Sequence, residues 1–105
     1  METQALIEDL NRSYLLELRE VVTLDELEIL LAEKINRMIQ QDFGALVQLL
    51  YRIDVSETRL RGLLNENPGE DAGKVIAPLI IERQWQKIET RRKYRQDTES
   101  DEERW

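Results

Sequence analysis

FGALVQLLYRI, residues Phe43 to Ile53, carries eight apolar residues in eleven. The exceptions, Gly44, Gln48 and Arg52, recur at every fourth position. On a helix that spacing collects them in one narrow row and leaves the remaining directions apolar. A helix apolar nearly all round is expected to be buried, with other helices against several of its sides. The segment therefore predicts an all-α fold: a compact bundle of four to five helices around a buried central helix at about 43–53.

The flanking sequence is helical in pattern on both sides. Before it, Ile7, Leu10, Tyr14, Leu18 and Val21 fall 3, 4, 4 and 3 residues apart, which predicts a first helix from about Thr3 to Glu20. Thr23 followed by Glu26 is a capping box, with Val22 and Leu27 at the staple positions. A second helix is expected from Leu24 to about Gln40, with Leu27, Leu31, Ile35 and Met38 inward. Ile35, Ile39, Phe43, Leu46 and Leu50 keep helical phase across the next boundary. Asp42, however, is a good N-cap and Gly44 a poor interior residue, so a tight turn at Gln41–Asp42 is expected.

After the central segment, Ser56 caps a short fourth helix, Glu57 to Glu66, with Val55 and Leu60 as its staple. Arg52 suits a helix C-terminus, and Asp54 can pair with it or cap the fourth helix. Asn65 to Gly69, NENPG, is turn chemistry. A long C-terminal helix is then expected from about Asp71 to Gln96, bent at Pro78 or starting near Ala77. Ile76, Ile80, Ile81, Trp85 and Ile88 mark its inward face. Residues 1–96 read as a single helical domain and 97–105 as an acidic, flexible tail.

Composition excludes several chemistries. The chain of 105 residues has no cysteine and no histidine. There is thus no thiolate nucleophile, no thiolate metal site and none of the commonest general base or zinc ligand. Ser13, Ser56 and Ser100 have no histidine to activate them, and Lys34 and Lys74 lack an apolar surround. Glu17 and Glu20 form an E-x-x-E pair that on a helix would share one face, as in carboxylate-magnesium hydrolases. The second, E-x-x-D pair which such enzymes need is missing. No catalytic residue, metal ligand or cofactor is assigned. An acidic start without an apolar run does not read as a signal peptide, and the longest apolar run, Val75–Ile81, contains Pro78 and is too short to span a membrane. A cytoplasmic protein without membrane contact is expected.

The formal net charge of −7 is unevenly spread. Residues 1–33 hold nine acids and two bases, whereas residues 83–96 hold six bases and one acid. Arg83, Lys87, Arg91 and Arg95 make a four-spaced basic row, joined by Arg92, beyond the end of the apolar stripe. Like charges at that spacing repel, so something should compensate them. Acidic helix one, the acidic tail and a partner are the candidates. The row is the candidate interaction surface. A protein partner is favoured, including a second copy of the chain, and nucleic acid is disfavoured by the acidic total.

Two segments, DFGALVQLLYRIDVSE (Asp42–Glu57) and LIIERQWQKIETR (Leu79–Arg91), resemble a small all-helical bacterial protein family with no assigned activity. The resemblance covers under half the chain. It implies a compact cytoplasmic helical protein and carries over no functional residues. The reading is therefore a non-catalytic helical interaction module, with nucleic-acid binding and magnesium-dependent hydrolysis as the alternatives.

Overall fold

The computed structural model describes the backbone of residues 1–103 and the side chains of residues 1–95. Its elements in chain order are α1 (Thr3–Tyr14), α2 (Leu24–Gln41), α3 (Phe43–Ile53), α4 (Glu57–Glu66) and α5 (Ala72–Glu103). The fold is all-helical and compact, with the long C-terminal helix present. Among the described residues there is no strand.

The local start signals act as the sequence implies. Thr23 accepts from the Glu26 N–H at 3.1 Å, and the Glu26 carboxylate accepts from the Thr23 N–H at 3.3 Å. Asp42 accepts from the Ala45 N–H and caps α3 as a helix separate from α2, and Ser56 accepts from the Arg59 N–H at the start of α4. Thr23→Ala removes both the acceptor and the reason for Glu26 to fold back. The expected loss is about 1 kcal/mol, read as a lower urea midpoint with unchanged slope.

The centre of the molecule is the pairing of α5 with α2. α5 packs most extensively on α2 and also touches α1, α3 and α4. Leu27, Leu31 and Ile35 from α2 meet Ile76, Ala77, Ile80 and Ile81 from α5 in one buried cluster. The two helices approach closely at Gly73, where the absent side chain leaves room for the Ala32 carbonyl. Asn36 holds that junction, accepting from the Gly73 N–H at 3.0 Å and donating to Asp71 at 2.6 Å. Asp71 in turn accepts from the Gly73 and Lys74 N–H groups, which start α5. On the far side, Arg59 of α4 grips Glu82 of α5 through two 3.0 Å hydrogen bonds.

Three expectations are corrected, and at the last helix one of two alternatives is removed. The segment 43–53 is not a buried central helix. Leu46, Leu49 and Ile53 are buried, but Phe43, Val47 and Tyr51 face water. Its main neighbours, α2 and α5, lie against one side, so apolar composition around the axis did not translate into burial around the axis.

The first helix stops at Tyr14 instead of Glu20. Leu15 and Glu17 take left-handed conformations with φ 55° and 56°. Asn11 captures the Leu18 peptide, accepting from its N–H at 2.8 Å and donating to its carbonyl at 2.9 Å. Gln4 donates to the Val21 carbonyl at 3.0 Å. Leu16, Leu18 and Val21 are still buried, delivered by an irregular segment that runs back along α1.

Val22 is exposed and makes no staple with Leu27. The last helix starts at Ala72 and runs through Pro78, so the proline does not mark its beginning. The backbone of α5 continues to Glu103. The side chains of the expected acidic tail lie outside the described residues.

Candidate functional site

The basic face of α5 lies over the end of α1 and the corner after α3. Between them runs a groove of about 510 Å³ whose lining includes Ser13, Tyr14, Arg83, Lys87, Thr90 and Arg91. At its floor sits a buried polar pair, Asp9 and Gln84. The Gln84 amide donates to the Asp9 carboxylate, and its oxygen accepts from the Tyr14 hydroxyl at 3.1 Å. Arg91 reaches the same carboxylate oxygen at 2.7 Å. Burial alone would push Asp9 up, but the hydrogen bonds from Arg91 and Gln84 and the charges of Arg91 and Arg12 outweigh it. Its carboxyl is held below the usual range and stays ionised.

The predicted basic row is largely engaged inside the chain. Arg83 donates to the Asp54 carbonyl at 3.1 Å and pairs with its carboxylate at 3.3 Å. Arg91 pairs with Asp9, and Arg92 pairs with Glu2 while lying over the Trp85 ring at 5.5 Å. The Arg92 hydrogen bond lowers the Glu2 carboxyl. Lys87 differs from these. Its ammonium donates to the Tyr14 hydroxyl at 3.3 Å and the Arg52 carbonyl at 3.2 Å, both uncharged. Arg95 is exposed, with no partner among the described residues.

The chain matches no protein-family model, no curated protein and no solved structure.

Residues not singled out by the row complete the site. Arg52 lies with its guanidinium 5.2 Å from the Tyr14 ring centre and donates to the Ser13 carbonyl at 2.8 Å. Asp54, at the left-handed C-cap of α3, pairs with Arg83 and not with Arg52. Gln84 and Asp9 left a faint trace in the sequence. Gln84 occupies the inward register between Ile80 and Ile88, and Asp9 stands three residues after Leu6. A lone polar residue on each of two apolar faces can indicate a buried partner.

Glu17 and Glu20 do not form the expected pair on a helical face. They belong to the irregular segment after α1, and the left-handed backbone at Glu17 breaks the register that spacing assumed. Among the described residues no cluster of carboxylates has the arrangement to hold a metal ion. Among them, too, no helix is long and apolar enough to cross a membrane.

Proposed function

We propose that this chain is a non-catalytic helical interaction module of the cytoplasm that associates with a second copy of itself through the outer face of α3. The observation that carries this is the stripe Phe43, Val47 and Tyr51, which are 61%, 50% and 86% exposed. Positions four apart on a helix are neighbours, so the three make one continuous apolar row. Large side chains grouped in this way on the outer side of a helix suit a contact surface.

A second copy suits this row for an electrostatic reason. The chain carries −7 overall, and two copies repel each other over most of their surfaces. The stripe bears no charge and is flanked by the uncharged Gly44 and Gln48, with Arg52 only at its end, so like faces can meet there around a two-fold axis. An electrostatic dimer through the basic row has less support, since Arg91 and Arg92 already face Asp9 and Glu2 of their own chain. The same pairing leaves fewer free cations for a nucleic-acid backbone.

Light scattering over a concentration series tests the reading. A dimer is expected that persists or tightens in high salt and is lost in Val47→Asp, with the helical circular dichroism retained. A monomer up to about 1 mM, or a Val47→Asp protein that still dimerises, would overturn it. A dimer that salt dissolves would return the contact to the charged faces.

A further inference from the structure

We infer that the corner formed by Arg52, Tyr14 and Lys87 binds a small phosphoryl dianion, independently of any contact through the outer stripe of α3. Two cations converge there on one tyrosine. The Arg52 guanidinium is 5.2 Å from the ring centre and the Lys87 ammonium 5.9 Å. They are directly linked, because Lys87 donates to the carbonyl of Arg52 itself at 3.2 Å. Among the described residues neither is in an ion pair with a carboxylate. Every other partner of the two is a neutral oxygen or a π face.

Other cations among the described residues also lack a carboxylate partner; what sets this corner apart is that two of them share one ring. Carboxylates outnumber cations by seven, and Arg59, Arg61, Arg83, Arg91 and Arg92 each have a carboxylate partner. Lys87 is half-buried, where an unpaired ammonium costs more than it does in open water. The Arg52 guanidinium on the same ring adds a second positive charge to the corner. An anion between them offsets both charges.

The remaining groups favour a donor-seeking ligand. The Ser13 hydroxyl lines the groove and has no partner among the described residues. Lys87 keeps one of its three N–H donors free, and Arg52 four of its five. The Tyr14 hydroxyl already donates to Gln84 and accepts from Lys87. The one carboxylate of the lining, Asp9, is neutralised by Arg91. A surplus of donors beside a groove of about 510 Å³ fits a compact tetrahedral anion on a small organic body, in the size range of ordinary ligand sites. A guanidinium and an ammonium together are a common pairing for phosphate oxygens.

Titration with inorganic phosphate at about pH 8, where the dianion outnumbers the monoanion and a phosphate monoester (second pKa ~6) is fully ionised, tests this by amide chemical shifts. Sodium chloride of equal ionic strength is the control. Saturable shifts at Ser13, Tyr14, Arg52 and Lys87 are expected, and glycerol 3-phosphate should act at the same residues. Arg52→Gln and Lys87→Gln should each weaken binding about tenfold, while Arg61→Gln on α4 should leave it unchanged. The melting temperature of each ligand-free variant separates lost binding from lost folding. Equal shifts in chloride, or unchanged binding in both groove variants, would overturn the site. Tighter binding there of a synthetic peptide of residues 97–105 would also overturn it, making the corner a seat for acidic protein segments.

Discussion

Gly73→Ala should destabilise this protein by about 3 kcal/mol, although alanine is the better helix former by roughly 1 kcal/mol. A Cβ on residue 73 would lie 2.3 Å from the Ala32 carbonyl oxygen and 2.8 Å from the Asn36 side-chain oxygen. The Asn36 amide can turn away, but the carbonyl belongs to the backbone of α2 and cannot. Relief requires α5 to lift off α2 along the seam that holds the largest share of the core. Lifting it also breaks the Asn36 bonds to Gly73 and Asp71. For a domain of about 100 residues that loss lowers Tm by about 10 °C or more. Gly62 supplies the contrast. It stands in α4 with nothing within 4 Å of an added Cβ, so Gly62→Ala should raise Tm slightly. If both alanine variants were equally stable, the close approach of α5 to α2 would be wrong.

Asp9→Ala should cost about 3 kcal/mol, because it removes the acceptor for a buried amide and for a guanidinium at once. Gln84 is 2% exposed, so its freed N–H cannot turn to water. Arg91 is half in solvent and loses less. Asp9→Asn keeps an acceptor for Gln84 and should cost about half as much.

The asparagine variant also isolates the pH dependence. The folded Asp9 carboxyl is held below its ordinary value, so the native state binds this proton less readily than the unfolded chain. Its contribution is complete above the unfolded pKa of ~3.9 and is lost as pH falls through the lower folded value. Urea midpoints of wild type and Asp9→Asn should therefore differ at neutral pH and converge below about pH 4. Glu2, Asp71 and Glu82 are lowered as well, but they titrate in both proteins and cancel in the difference. A gap unchanged down to about pH 2 would exclude Asp9 as its source.

The corrections have a common origin in contacts between distant parts of the chain. Apolar spacing through Leu18 and Val21 is satisfied equally by a helix and by a segment folded back upon it. Asn11 and Gln4 decide between the two by binding backbone groups of Leu18 and Val21, and neither residue type signals that in advance. The basic row is legible as a row, and acidic helix one is among the groups that could compensate it. That Asp9 meets Arg91 eighty-two positions later, or that Lys87 is left without a carboxylate, is not legible there.

What the sequence determined alone is what lies within one turn of each residue. Thr23, Asp42 and Ser56 each accept from the backbone N–H three positions on, and helix boundaries follow wherever that bond is self-contained. The tertiary structure decided which faces are dry. Phe43 and Val47 are apolar like Leu46, Leu49 and Ile53, and Tyr51 presents a largely apolar ring, yet only Leu46, Leu49 and Ile53 are covered, because α2 and α5 pack mainly on each other and leave α3 one side to pack on. Hydrophobicity measures how strongly a side chain would gain from burial; whether a neighbour is there to bury it depends on where the other helices have gone.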